Sequence, residues 1–163
     1  MNTPVRTLCL CLVSSLAACG TVHRWQELRS DPMTFGECFD GLAYVAGTGG
    51  FVADTSVSDR GLGILQSRWR QRMLANTHPA RYRLRAELLL DEGSAATGWP
   101  VRFVIEQQHV KDLRRSLDPK EEDWSPAGQD GEGEALLGDR LVRRLAPRSM
   151  PTPPRRPETR PLP

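Results

Sequence analysis

The sequence predicts an α+β fold in which a helix packs on an antiparallel sheet of about four strands and a second, C-terminal helix closes the domain. Three observations predict it. Residues 35–46 carry an apolar stripe at helical spacing, three segments within 64–107 alternate apolar and polar side chains, and a second helical stripe occupies 132–145. These patterns fall within 32–146, a length that supports a single domain with one core.

The elements follow in order. Asp31 is the expected N-cap of the first helix, Pro32 its first helical residue and Gly47 its left-handed stop. Between them Phe35, Cys38, Phe39, Leu42 and Ala46 recur at steps of three and four and share one face. Gly47-Thr48-Gly49-Gly50 follows a helix and precedes the strand-like Phe51-Val52-Ala53-Asp54. A phosphate-binding loop needs the opposite order, so this segment reads as a turn. Asp59-Arg60-Gly61-Leu62-Gly63 supplies turn residues leading into the next strand.

In the strand expected at 64–73, Leu65, Ser67, Trp69, Gln71 and Met73 point one way and Arg68, Arg70 and Arg72 the other. Over 81–91, Tyr82, Leu84, Ala86, Leu88 and Leu90 oppose Arg81, Arg83, Arg85, Glu87 and Asp91. Over 101–107, Val101, Phe103 and Ile105 face inward, with Arg102 and Glu106 outward. The sheet therefore has one apolar face under helices and one face of arginine and glutamate. Val110, Leu113 and Leu117 fit either a short helix or a bent strand, and 118–134 reads as a charged loop pinned by Trp124. The last helix runs from Glu132 to Leu145, with acids at its positive end and Arg140, Arg143 and Arg144 at its negative end. Leu137, Leu141 and Leu145 form its stripe, flanked by Leu136 and Val142, and Pro147 ends it. Residues 147–163 hold seven prolines and form a disordered or polyproline II tail.

The N-terminus has a different composition. Arg6 supplies positive charge, and an apolar run from Leu8 to Ala18 is shorter than the roughly 20 residues a membrane-spanning helix needs. Its end, Leu16-Ala17-Ala18-Cys19, resembles the lipobox of bacterial lipoproteins, a likeness that covers residues 1–20. The resemblance implies a signal peptide over 1–18, cleavage between Ala18 and Cys19, and a lipid on the Cys19 sulfur. It thereby implies membrane attachment facing the periplasm. Gly20, where an aspartate retains some lipoproteins in the inner membrane, implies the outer membrane in preference. Residues 19–31 are then the lipidated cysteine and a tether that holds the domain within about 40 Å of the membrane. The mature region is assigned to no named family, although its layout is similar to small accessory domains of envelope-assembly lipoproteins.

Charge and side-chain chemistry narrow the function classes. Lys plus Arg number 22 against 20 Asp plus Glu, a net +2 that falls by one when Arg6 leaves with the signal, which argues against nucleic acid as a partner. Cys9 and Cys11 leave too and Cys19 is lipidated, so Cys38 stands alone, without a disulfide partner, on the apolar stripe of the first helix. His23, His78 and His109 show no zinc or nucleophile–base spacing, and Ser67 and Ser94 lack a nucleophile elbow, so no catalytic residue is assigned. Asp130-Gly131-Glu132-Gly133-Glu134 departs from calcium-loop spacing; neither a metal nor a cofactor is expected.

Seven arginines and no acid lie from Arg60 to Arg85. Arg68, Arg70, Arg72, Arg83, Arg85 and Arg102 are the candidate face for an anionic partner, with Glu87 and Glu106 as cross-strand neutralisers and the acids of 118–134 as a second source. The expected role is a non-enzymatic interaction or assembly accessory that binds a protein or envelope polymer near the membrane. The competing class is a periplasmic small-molecule or metal-binding module.

Overall fold

Two long strands, Pro79–Leu88 and Pro100–Val110, pair antiparallel from Leu88↔Val101 to Ala80↔His109 and form the middle of the sheet in a computed structural model. The structure describes residues 23–73, 79–111 and 118–149. Its elements are β1 (Gln26–Arg29), α1 (Phe35–Thr48), β2 (Ile64–Gln66), β3 (Arg70–Met73), β4 (Pro79–Leu88), β5 (Pro100–Val110), β6 (Trp124–Gln129) and α2 (Gly131–Leu145). The α+β class and the C-terminal helix agree with the sequence. The sheet has six strands, not about four, because each side of the central hairpin carries two short strands in tandem. β1 and β6 pair successive parts of β5, while β2 and β3 pair successive parts of β4.

Two of these strands correct the expected organisation. β1 lies inside the segment read as a tether, and β6 inside the segment read as a charged loop. Four residues, Gln26-Glu27-Leu28-Arg29, are too few to display alternation, and Pro126 and Gly128 interrupt β6. Phe51–Asp54 contributes only the isolated bridge Ala53↔Ser67, not a strand. His109 lies within β5 rather than after it. Leu113, Leu117 and His78 lie outside the described residues, as do 150–163 of the proline-rich tail; its first three residues form a 3-10 turn.

α1 starts later than expected. Thr34 is its N-cap, its hydroxyl oxygen accepting from the Glu37 amide while the Glu37 carboxylate accepts from the Thr34 amide. Asp31 instead receives the Arg148 amide at 3.0 Å and donates its own amide to the Leu145 carbonyl at 2.7 Å, fastening the end of α2. The left-handed residue after α1 is Gly50, at φ 80°, three positions beyond the expected Gly47. The helical stripe itself is as predicted, with Cys38, Phe39, Leu42 and Ala46 buried and Val45 added. Burial pushes the Cys38 thiol pKa up, outweighing a hydrogen bond with Ser30 that acts the other way.

Both helices cover the same face. Tyr82, Leu84, Ala86 and Leu88 of β4 and Val101, Phe103 and Ile105 of β5 join the α1 stripe and Leu137, Leu141 and Leu145 of α2 in one core. Gly138 brings α2 against the Phe103 ring, and Gly41 admits the Leu145 side chain between the helices. Leu136, expected beside the stripe, is 56% exposed.

Where β6 ends at Gln129 and β1 begins at Gln26, the amide of Ile105 on β5 has no edge strand to bond. The carboxylate of Glu134 on α2, 3% exposed, accepts that amide at 2.9 Å. The same carboxylate takes Gln129 Nε2 at 2.9 Å and Gln26 Nε2 at 3.4 Å, so it ties together β6 and β1. Glu134→Ala should therefore lower unfolding free energy in urea by about 2–3 kcal/mol, the cost of stranding a buried donor and losing its neighbours' bonds. Gly98, at φ +77°, lies where a Cβ would collide with the Ser30 carbonyl oxygen. Gly98→Ala should cost about 2–4 kcal/mol in the same assay, and a wild-type midpoint for either variant would contradict these roles.

Candidate functional site

β2 and β3 are in different registers against β4. Leu65 opposes Ala86 and Ser67 bonds Leu84 through both its amide and its hydroxyl oxygen, yet Arg70, not Trp69, opposes Tyr82. One residue is inserted between them, a bulge, and a one-residue slip sends every later side chain to the other face. This corrects the expected arginine face. Arg70 and Arg72 oppose Tyr82 and Ala80 on the helix-bearing side, while Trp69 moves to the open side. Arg68 is exposed at the bulge, its amide bonded to the Val52 carbonyl at 2.8 Å.

Arg83, Arg85 and Arg102 do share the open face, together with Arg81. They stack among three tryptophans. Arg102 and Arg85 lie 5.1 and 5.8 Å from the Trp25 ring centre, Arg83 and Arg81 lie 4.4 and 4.6 Å from Trp69, and Arg81 is 4.7 Å from Trp124. Carboxylates fill the intervals. Glu106 holds Arg83 at 2.5 Å, Arg85 at 3.2 Å and His23 at 3.2 Å; Glu87 holds Arg102 at 2.5 Å. Glu121 grips Arg81 with both oxygens, at 2.5 and 2.7 Å, while Gln108 accepts from Arg81 Nε at 2.7 Å. The four arginines are thus paired by Glu87 and Glu106 across strands, Glu106 serving two of them, and by Glu121 of the 118–134 segment. Glu134 is directed into the sheet edge and takes no part.

The remaining arginines occupy a different place. A cleft of about 230 Å³ opens between the end of α1, β3 and the first turns of α2. Arg70, Arg72 and Arg140 line it together with Asp130 and Glu132, over Phe51 and Leu137. Among the described residues no group of three or more His, Cys, Asp or Glu is positioned to hold a metal ion. Ser67 is buried and engaged with backbone, and Cys38 is in the core. Ala18 and Cys19 lie outside the described residues.

Sequence reading missed Trp25, Trp69 and His23 as members of the open face, and Arg81, placed on that face by alternation, was not among the candidate residues. Trp25-Gln26-Glu27-Leu28 does not alternate apolar and polar side chains, so the sequence carries no local signal for β1. Nothing local announces the bulge that turns Trp69. No protein-family model matches the chain, and no match was found among curated proteins or solved structures.

The Glu121 carboxyl is held below the usual carboxylate range, chiefly by its hydrogen bonds from Arg81. A lowered carboxyl contributes fully above the ordinary range and is lost as pH falls through its folded value. Acidification below the usual glutamate range should release Glu121 from Arg81 and change tryptophan emission from Trp69 and Trp124. Glu121→Gln should show that change already at neutral pH. Identical emission-versus-pH curves for the two chains would refute the coupling.

Proposed function

We propose that this chain is a bacterial envelope lipoprotein whose domain acts as a non-enzymatic interaction or assembly accessory, binding a protein or envelope polymer beside the membrane. Lipid on Cys19 anchors it after removal of 1–18, facing the periplasm and, by Gly20, at the outer membrane. The observation that carries the interaction role is the open sheet face. Both helices lie on the opposite side, and Trp25 and Trp69 remain partly exposed among arginines that are each already paired with a carboxylate. Such a surface suits a partner that stacks and hydrogen-bonds more than one that is merely anionic.

The position of that face supports the reading. His23 and Trp25 already belong to it, so only residues 20–22 separate Cys19 from the fold. At a maximum near 3.5 Å per residue the anchor lies within about 14 Å of His23, far closer than a free tether over 19–31 allows. The partner would meet the protein next to the bilayer.

The competing small-molecule reading is favoured by one observation, the cleft beside α2. It does not depend on the anchor.

Two measurements test the proposal. Palmitate labelling of cells expressing the full chain should mark the protein, and Cys19→Ser should abolish the label; labelling that survives the substitution would overturn the anchor. Photo-crosslinking residues placed at Glu27 or Gln71 on the open face should then capture a partner that the same probe at Asp139 on α2 does not. Equal capture from all three positions would remove the open face as the binding surface.

A further inference from the structure

The cleft between β3 and α2 contains opposite charges that do not meet. None of the six ion pairs among the described residues includes Arg70, Arg72, Arg140, Asp130 or Glu132, although all five line the same space. On the open face four arginines are joined directly to carboxylates, so the separation in the cleft asks for a cause.

Backbone contacts supply it. Arg70 donates to the Gly49 carbonyl at 2.7 Å and lies 4.4 Å over the Phe51 ring, which fixes the guanidinium on the α1 side. Asp130 is fixed on the other side as N-cap of α2, accepting from the Gly133 amide at 3.0 Å while its own amide donates to the Ile105 carbonyl at 2.9 Å. Neither can cross the gap without breaking a bond to the main chain. Arg72 follows Arg70 on the same face of β3, and Arg140 lies seven residues after Gly133 on the same face of α2. Gly133 and Leu136 complete that helix face, which accounts for an otherwise unexplained exposed leucine.

We propose that this cleft binds an amino acid bearing two carboxylates and one ammonium group, or a short peptide ending in one. The charge inventory selects the class. Three guanidinium groups face two carboxylates, so the complement carries one more negative than positive charge. Arg72 and Arg140 offer free forks for carboxylates, Asp130 and Glu132 accept the ammonium, and Phe51, Leu136 and Leu137 take an aliphatic spacer. The size agrees, because about 230 Å³ falls below the roughly 300–1,000 Å³ range of pockets for drug-sized ligands and suits one or two residues of a peptide. A ligand with both charges also avoids the cost of desolvating either wall unpaired.

L-Glutamate is the probe. It should be titrated into the detergent-solubilised full chain at low salt, with backbone amide shifts recorded by NMR. Saturable shifts are expected at Gly49, Gly133 and Leu136. Glutarate, which lacks the ammonium, and 4-aminobutyrate, which lacks one carboxylate, should each bind about tenfold more weakly, the loss expected from one charge-assisted hydrogen bond. Arg72→Gln and Glu132→Gln should lose about tenfold in glutamate affinity, while Arg143→Gln, outside the cleft, and Cys19→Ser should leave it unchanged. Absence of saturable shifts with millimolar glutamate, shifts confined to other surfaces, or equal affinity for glutarate would each overturn the proposal. The ligand series on the unsubstituted chain decides the matter even where a variant fails to fold, and its failure leaves the anchor and the open face untouched.

Discussion

The Glu134 carboxylate on the Ile105 amide is the interaction on which the arrangement depends. A sheet edge made of two short strands has a joint, and at that joint a central strand presents an unpaired donor in a buried position. β5 presents it at Ile105, and α2 answers with a side chain from its first turn. The bond fixes more than one amide. Asp130, immediately before α2, donates to the Ile105 carbonyl, so both polar groups of one strand residue are satisfied by the start of one helix. Gln129 extends the connection to Arg24, donating to its carbonyl and accepting from its amide. The register of β1, the exit of β6 and the entry angle of α2 are therefore one coupled choice. Loss of the carboxylate would disturb all three.

The opposite face solves a different problem. An antiparallel sheet with helices on one side usually leaves a solvated side, and here that side is built as a layer of its own. Arg81, with a side chain only 7% exposed, lies between the Trp69 and Trp124 rings and holds Glu121 and Gln108 at its edge. A guanidinium at such depth needs paired acceptors, because its desolvation outweighs a single contact. Toward β1 the same chemistry becomes shallower: Arg85 and Arg102 are 37% and 39% exposed beside Trp25. Pairs at that exposure contribute little to stability, at most about 1 kcal/mol each. The deep end of the layer is structural, and the shallow end beside Trp25 is the part more open to solvent.

Sequence periodicity made the helices and the central hairpin legible because each is long enough for its period to repeat. The Cys38-to-Ala46 and Leu137-to-Leu145 stripes and the alternation of Tyr82 to Leu88 with Val101 to Ile105 are buried as expected, with Phe35 partly buried beside them. What escaped was short or decided at a distance. β1 has four residues and β6 carries a proline and a glycine, so neither repeats a pattern. Asp31 and Pro32 form a plausible helix start, but Thr34 with Glu37 completes two reciprocal backbone bonds and Asp31 has a better use at the end of α2. The site was partly legible for the same reasons. Arg83, Arg85 and Arg102 follow from alternation on long strands, whereas Trp25 and Glu121 reach the face through elements that sequence assigned to a tether and a loop.

The bulge after Ser67 redistributes more side chains between the two faces than any other local feature described above. Had Leu65 to Met73 run as one uninterrupted strand, Arg68, Arg70 and Arg72 would have joined the open face, whose three carboxylates already hold four arginines. That face would then carry several uncompensated cations on adjacent strands, a repulsion that neither tryptophan stacking nor screening removes at short range. Inserting one residue divides the arginines into two populations. One population is paired and stacked; the other is turned toward α2, where Arg70 is pinned by backbone and faces acids it cannot reach. The same shift brings Trp69 to the open side, where it separates Arg81 from Arg83. A single register change thus completes the aromatic layer and opens the charged cleft, which places two distinct surfaces on opposite sides of one small sheet.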